Sequence, residues 1–214
     1  VPEAVEWNVM DKLSREKEVV GIYISGHPLD DYRVEMKHLC YPRGLKVLQE
    51  LDKHPGREFS FGGMLGSVSH RMTKNGRPFG DFVLEDYDHS ERFFLFGEDY
   101  VKFKSYLEDG WFVFVQGRIQ ERKFSKDGEL EFKIHQIELL AEVREKLAKR
   151  LKLTVNLLDL DERVVDELGA LTEKYPGKCG LSLEIRDLEV AVSMPSRTAR
   201  VDLNNDFIRE LEQI

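Results

Sequence analysis

The chain has 214 residues, of which 41% are hydrophobic and 34% are charged. This balance is typical of a folded globular protein and excludes a disordered one. No stretch approaches the roughly 18 apolar residues of a membrane helix. The N-terminus begins with Val1 and has no recognisable signal peptide. We therefore expect a segment of a longer protein that works in the cytoplasm, away from membranes.

The net charge of −8 argues against a surface that binds nucleic acid nonspecifically, so any nucleic-acid site must be a local patch. The two cysteines, Cys40 and Cys179, lie far apart in the sequence, and neither has a partner at the spacing of metal ligands. The sequence therefore predicts neither a metal site nor a bound cofactor.

Residues 1–54 are predicted to form a helical connector. The apolar residues from Val9 to Ile24 follow a helical period, and this helix should end at the turn before Pro28. Short helices are expected to start at Leu29 and Leu45.

Residues 55–141 change to strand-forming residues separated by sharp turns. Asn75-Gly76 and Asp127-Gly128 mark two hairpins, and a helix is expected from Glu98 to Leu107. The predicted strands are Phe59 to Val68, Phe79 to Glu85, Arg92 to Phe96, Trp111 to Arg122 and Leu130 to Leu140. Three strands, a helix and two strands are the layout of the OB-fold, a five-stranded, partly open β-barrel.

Residues 142–214 are predicted to form a small α+β domain, which makes the whole chain a multi-domain α+β protein. A charged helical link leads to this domain, and Asn204 or Asn205 should cap its final helix. The predicted elements are a strand from Leu151 to Leu157, a helix from Asp161 to Tyr175, strands Leu181 to Ile185, Glu189 to Met194 and Arg197 to Leu203, and a helix from Phe207 to Ile214.

Candidate catalytic residues are few. Three carboxylate pairs have a composition that suits Mg²⁺: Asp30/Asp31, Asp86/Asp88 and Asp159/Asp161. Each pair lies in a turn or at a helix start, where aspartate is favoured as a cap. His27 has no nucleophile or second ligand near it in sequence, so a turn histidine whose ring bonds a nearby carbonyl fits better than a general base. The sequence predicts no catalytic residue.

Basic and aromatic residues indicate a local nucleic-acid site in the predicted barrel. Alternation in the third strand places Arg92 and Phe94 on one face, and because arginine prefers water, Phe94 should be partly exposed and able to stack on a base. Basic side chains also collect in the two hairpins with which OB-folds bind oligonucleotides. They are His70, Arg71, Lys74 and Arg77 in the first hairpin and Arg122, Lys123 and Lys126 in the second. The alternative is that these hairpin tips are simply solvated.

The final helix has an apolar face that includes Phe207, Ile208 and Leu211. Such a face packs either on its own sheet or in the groove of a partner protein. Basic residues are scattered through residues 151–214, so we expect this unit to bind a protein rather than DNA. The three apolar residues are the candidate partner-binding residues.

Several stretches of the sequence resemble one family. The longest and most specific is Glu16-Lys17-Glu18 followed by Gly21-Ile22-Tyr23-Ile24-Ser25-Gly26-His27-Pro28. The others are Thr73-Lys74-Asn75-Gly76, Phe82-Val83-Leu84-Glu85-Asp86 and, more loosely, Arg197 to Ile214. On these residues the chain resembles the C-terminal region of the bacterial DNA polymerase III alpha subunit, most strongly over residues 13–97.

The resemblance implies a non-catalytic fragment of a replicative, DNA-directed DNA polymerase, a nucleotidyltransferase. The catalytic domains and their acidic residues would lie upstream. The OB domain would contact single-stranded DNA, and the C-terminal unit would attach to a clamp-loader subunit. The sliding clamp would bind through the upstream part of the parent chain, and no convincing clamp-binding peptide is recognisable near Val1 to Met10.

Other functions stay open on the residues alone. They are an OB-type tRNA-binding module, a protein-interaction scaffold without a nucleic-acid role, and a hydrolase that uses His27. The Ser25-Gly26-His27-Pro28 block argues against the tRNA-binding module, whereas the net charge of −8 is consistent with the scaffold.

Overall fold

A computed structural model describes residues 9–21, 23–122 and 128–214. It divides into two units, Val1–Glu142 and Val143–Ile214. The three-part division into residues 1–54, 55–141 and 142–214 stays a prediction. Within the described ranges, no helix combines the length and the apolar character that crossing a membrane requires.

Helices precede the sheet in the first unit. α1 spans Val9–Val20, a 3-10 helix at Pro28–Tyr32 leads into α2 at Arg33–His38, and a second 3-10 helix covers Leu45–Lys53. α1 ends well before the predicted turn at Pro28. The reason is Gly21, whose φ of 85° is a left-handed conformation that glycine adopts without strain at the end of a helix.

The first unit is built on a five-stranded antiparallel sheet with the strand order β3-β2-β1-β4-β5. Its strands are β1 Glu58–Met72, β2 Pro78–Glu85, β3 Ser90–Phe96, β4 Phe112–Glu121 and β5 Leu130–Leu139. Between β3 and β4 lies α3, Gly97–Phe103, which continues as a 3-10 turn at Lys104–Tyr106. The predicted OB-fold layout is confirmed, although the predicted helix to Leu107 is shorter and only partly α-helical.

Strand pairing does not close the barrel; side chains bridge its two edge strands instead. The edge strands β3 and β5 do not pair with each other within the described part of the sheet. Instead, Lys133 on β5 donates to Asp99 on α3 at 2.5 Å, and Lys102 on α3 donates to the carbonyl of His135 at 3.0 Å. α3 therefore spans the gap between the two edges.

The interior is packed with aromatic and branched side chains, as a small barrel requires. Fully buried members of this core include Phe61, Phe82, Leu84, Val113 and Ile119. A bulge in β4 lies beside Gly117, where a Cβ would stand 2.6 Å from the carbonyl oxygen of Lys133. Only glycine fits at that close approach.

Asp86 joins the connector to the turn between β2 and β3. Its buried carboxylate accepts hydrogen bonds from three backbone amides: those of Leu45 at 2.6 Å, Asp88 at 2.9 Å and His89 at 2.7 Å. The neighbouring Tyr87 hydroxyl donates to the carbonyl of Leu29 at 2.9 Å. The turn is therefore a structural anchor for the helical segment that precedes the sheet.

The second unit has a three-stranded sheet of order β6-β7-β8, in which β6 and β7 are parallel and β8 is antiparallel. Helix α5 connects the two parallel strands, and α4 spans the boundary between the units. The elements are α4 Leu140–Leu147, β6 Arg150–Asn156, α5 Glu162–Lys174, β7 Pro176–Arg186, β8 Ala191–Val201 and α6 Asn205–Leu211. Asp161 and Asn204 cap α5 and α6.

The two strands predicted between Glu189 and Leu203 are one strand, β8, with an irregularity in its middle. Its pairing with β7 jumps from Ser182↔Pro195 to Gly180↔Arg200. Pro195 lies at this irregularity, and β8 is an edge strand, where a proline is tolerated. The prediction of two separate strands is therefore wrong at this point.

Replacing Asp86 with alanine should lower the free energy of unfolding of the first unit by about 3 kcal/mol, because three amides lose their acceptor. Urea denaturation followed by tryptophan fluorescence measures this, since Trp111 packs against the core of the first unit. Asp88→Ala is the matched control, because Asp88 is exposed in the same turn, and it should change stability by less than about 0.5 kcal/mol. Equal effects of the two substitutions would contradict the anchoring role of Asp86.

Candidate functional site

Strand β3 presents alternate residues to solvent and to the core. Arg92, Phe94 and Phe96 are exposed, whereas Phe93 and Leu95 are buried. Phe94 is 53% exposed and Phe96 is 55% exposed, which is unusual for rings of this size. The predicted exposed position of Arg92 and Phe94 on one face is confirmed.

Three phenylalanines form a row on this outer face. Phe79 of β2 lies opposite Phe96 of β3, with ring centroids 5.5 Å apart and an interplanar angle of 17°. Phe96 in turn lies 6.3 Å from Phe94 at an angle of 11°. We call Phe79, Phe96 and Phe94 the phenylalanine row. Its rings are nearly parallel, so the row offers flat apolar surfaces of similar orientation.

Two arginines lie beside the row, one on each of the strands that flank Asp81. Arg92 of β3 donates to Asp81 Oδ2 at 2.7 Å, and Arg71 of β1 places its Nε 3.8 Å from Asp81 Oδ1. The Asp81 side chain is 2% exposed, whereas those of Arg71 and Arg92 are 60% and 49% exposed. We call these three residues the Arg71–Asp81–Arg92 cluster. Its three side chains carry a net charge of +1 next to the aromatic surface.

The first hairpin adds two exposed cations, Lys74 and Arg77. Its turn is closed by hydrogen bonds from Thr73 N to the Arg77 carbonyl at 2.8 Å and from Arg77 N to Thr73 Oγ1 at 3.0 Å. Gly76 takes a φ of 72°, which the predicted Asn-Gly turn requires. His70 is held by Tyr100, whose hydroxyl lies 3.0 Å from His70 Nδ1.

An open cavity of about 440 Å³ lies where the first hairpin leads into β2 and β3 leads into α3. Pro78 and Gly97, which line it, are the sequence neighbours of Phe79 and Phe96. The remaining lining residues are Arg77, Glu98, Val101 and Lys102. Its surface is mostly apolar, with two cations and one acid at the edge.

The second hairpin is only partly described. Arg122 is exposed, and its Nη1 lies 3.7 Å from Glu129 Oε2. Lys123 and Lys126 lie outside the described residues. The structure thus brings Arg71, Arg92 and Phe94 together on one face.

Sequence reasoning missed Phe96 and Phe79. Phe96 lies two residues after Phe94 on β3, so the alternation that predicts an exposed Phe94 also predicts an exposed Phe96. Phe79 required the pairing of β2 with β3, because only the register places it opposite Phe96. Asp81 was missed for the same reason.

His27 has a structural role rather than a catalytic geometry. Its Nδ1 accepts a hydrogen bond from Leu29 N at 3.1 Å, and Asp30 Oδ2 accepts one from His27 N at 2.7 Å. The ring lies 5.0 Å from that of Tyr23 and 4.6 Å from that of Tyr87. The ring is expected from the sequence to bond a carbonyl, whereas among the described contacts its Nδ1 accepts from an amide and caps a 3-10 helix.

The carboxylate pairs also serve as caps. Asp30 closes the capping box of His27, Asp86 binds backbone amides, and Asp161 accepts from Val164 N at 2.8 Å. Among the residues that the structure describes, no group of three or more His, Cys, Asp or Glu side chains is placed to hold a metal ion.

The predicted partner-binding face lies largely inside the second unit. Phe207 is 1% exposed and Ile208 is 9% exposed, and the Phe207 ring meets that of Tyr175 at 5.8 Å. Leu211 is half-buried. The apolar face of α6 therefore packs on its own unit, so Phe207 and Ile208 are not accessible to a partner while the unit is folded.

A different apolar surface is exposed on the hairpin between β7 and β8. Leu188 is 98% exposed and Val190 is 60% exposed. Val192 and Met194 follow on the same side of β8, opposite Ile185 and Leu183 of β7. We call Leu188, Val190, Val192 and Met194 the hairpin patch.

Two family models match the chain. Residues 151–214 match "DNA polymerase III alpha subunit, C-terminal domain", and residues 60–140 match "OB-fold nucleic acid binding domain". The chain is similar to the C-terminal region of DNA polymerase III alpha subunits. The predicted resemblance is thereby confirmed.

Curated relatives named DNA polymerase III subunit alpha match most of the chain. The Pseudomonas fluorescens protein is 25% identical over 98% of this chain, and the Pseudomonas aeruginosa protein is 27% identical over 96%. A shorter match, to the Saccharopolyspora erythraea protein, is 33% identical over 55% of this chain and 10% of that protein. The chain spans 17% of the length of both Pseudomonas relatives, so it corresponds to a small part of them.

Among solved structures, a mitochondrial single-stranded DNA binding protein of S. cerevisiae, Rim1, is 17% identical and has a TM-score of 0.29. The match covers 40% of this chain and 96% of that one. A TM-score this low decides nothing about the present chain.

Protonation of His27 should destabilise the first unit. Burial lowers the pKa of His27 below its usual value. The nearby negative charges of Asp30 and Glu85 raise it, but by less. As the pH falls through about 6.5, the unfolded chain takes up the proton first, so stability is present above that pH and is lost as the pH falls through the lowered folded pKa. The variant His27→Gln should lose less stability than the wild type between about pH 7.5 and pH 5.5 in urea melts. Identical losses would show that His27 does not contribute.

Proposed function

We propose that the first unit binds single-stranded DNA across the outer face of β2 and β3. The observation that carries this proposal is the phenylalanine row, in which the half-buried ring of Phe79 and the exposed rings of Phe96 and Phe94 lie nearly parallel beside two arginines. The centroid distances are 5.5 and 6.3 Å. Proteins that bind single strands combine such stacking surfaces with cations that follow the backbone. The face of strands 2 and 3 is also where OB-folds bind oligonucleotides.

The geometry suggests a path for the strand. Bases would stack on Phe94 and Phe96, while Arg71 and Arg92 would contact phosphates on either side of the row. At the hairpin end, the cavity lined by Pro78 and Val101 would receive a further base, with Arg77 close to its phosphate. Lys74 and, on the second hairpin, Arg122, Lys123 and Lys126 are proposed as additional phosphate contacts.

The similarity to DNA polymerase III alpha subunits supports DNA as the nucleic acid. The chain would then be a non-catalytic part of a replicative polymerase that acts in the cytoplasm. Its role would be to hold single-stranded DNA while catalytic domains elsewhere in the parent protein act on it.

Removing two rings of the row should weaken binding strongly. Stacking contributes about 1–3 kcal/mol per base, so Phe94→Ala combined with Phe96→Ala should lower the affinity for a thymidine oligonucleotide of about 12 residues by at least tenfold. Fluorescence anisotropy at about 50 mM salt measures the change. Tyr41→Ala is the control, because Tyr41 is 65% exposed but lies outside the row, and it should stay within about twofold of the wild type.

Equal affinities of the double variant and the control would remove the row from the site. The same oligonucleotide made of RNA, and a folded tRNA, complete the experiment. Tighter binding of either RNA than of DNA would favour the tRNA-binding alternative.

We further propose that the second unit attaches to a clamp-loader subunit through the hairpin patch. Its four apolar side chains are exposed on the hairpin between β7 and β8, whereas the apolar side chains Phe207 and Ile208 of α6 are buried. Isolated apolar residues are normal on a surface, but a contiguous exposed set is typical of an interaction site. The match of residues 151–214 to the polymerase C-terminal domain supports a replicase partner.

The variant Leu188→Asp should weaken binding to the clamp-loader subunit at least tenfold, because it places a charge in the proposed interface. Leu158→Asp is the matched control, since Leu158 is 94% exposed in the same unit but lies outside the hairpin patch. Surface plasmon resonance with the immobilised subunit measures both. An equal response of the two variants would exclude the hairpin patch as the attachment surface.

A further inference from the structure

A buried aspartate lies at the centre of the proposed DNA face. Asp81 is opposite Ser69 on β1 and Phe94 on β3, so its side chain points to the same outer face as the phenylalanine row. A carboxylate in the middle of a surface that attracts phosphates is unexpected on charge alone. The contacts of its carboxylate explain why it is there.

The contacts of Asp81 show what it does in the unbound protein. Arg92 Nη1 donates to Oδ2 at 2.7 Å, while Arg71 Nε stays 3.8 Å from Oδ1. Oδ1 is buried and accepts no hydrogen bond from the described residues. Because a buried carboxylate is costly unless it is paired with positive charge, Asp81 draws both guanidinium groups toward itself.

This arrangement sets two effects against each other. Asp81 holds the arginines next to the row, which favours binding, but it also cancels one of their two positive charges. A carboxylate that is 2% exposed is screened by salt much less than a surface acid, so its repulsion of a nearby phosphate persists at moderate salt. The arginines remain about half exposed and can still turn N–H groups to a phosphate.

We propose that Asp81 is an internal competitor for the DNA phosphates and keeps the binding of single-stranded DNA weak and readily reversible. The inference rests on the proposed function of this face. A part of a replicative polymerase that moves along its template would need this reversibility, because a tightly held strand could not advance.

The variant Asp81→Asn tests the proposal, since it keeps the shape of the side chain and an acceptor for Arg92 while removing the charge. Affinity for a thymidine oligonucleotide should rise about five- to tenfold at about 50 mM salt. The slope of log affinity against log salt should steepen by about 0.7, the contribution of one additional neutralised phosphate on a single strand.

Two control variants separate the charge of Asp81 from other effects. Asp88→Asn removes the same charge from an exposed position and should change affinity less than about 1.5-fold, since exposed charges are screened. Asp81→Glu keeps the charge and should not raise the affinity. Circular dichroism and urea melts confirm that each variant is folded.

If the wild type binds, two results overturn the inference and leave the proposed function standing. One is unchanged or weaker binding by Asp81→Asn, and the other is an equal rise in affinity with Asp81→Glu. Binding by Asp81→Asn where the wild type shows none supports it. Absence of binding by every variant overturns the inference together with the proposed function.

Discussion

The antiparallel register of β2 and β3 determines what the first unit presents to solvent. Side chains alternate across a strand, so the pairing of Phe79 with Phe96 and of Asp81 with Phe94 places the row and the central carboxylate on one face. The same register sends Phe82, Phe93 and Leu95 into the core. A register slip of one residue would turn Arg92 toward the core and expose the buried phenylalanines. The burial of these apolar side chains therefore determines both the fold and the residues that the site presents.

That register is held from outside the sheet as well as from within it. The turn between β2 and β3 is anchored by Asp86 and Tyr87 to the helical connector, and Lys17 of α1 forms an ion pair with Glu85 at the end of β2. His27 caps the connector and packs its ring on Tyr87. The Ser25-Gly26-His27-Pro28 block, conspicuous in the sequence, thus supports the turn that joins the two strands of the site.

Much of this could be predicted from the sequence, because local signals determine it. Asn75-Gly76 predicted the first hairpin, and alternation predicted the exposure of Phe94 next to Arg92. Long-range pairing could not be inferred in the same way. The row requires Phe79 across a strand pair, and Asp81 becomes conspicuous only when β1 and β3 bring Arg71 and Arg92 to it. The final helix was ambiguous, since an apolar face looks alike whether it packs internally, as Phe207 does, or on a partner.

The central claim is that single-stranded DNA lies on the outer face of β2 and β3. An NMR titration of the chain with a short thymidine oligonucleotide tests it most directly. The amide chemical shifts of the residues on this face should change most, and base stacking should move the phenylalanine ring protons upfield. These residues are Phe79, Asp81, Arg92, Phe94 and Phe96. Changes confined to other surfaces, with this face unperturbed at saturation, would contradict the account.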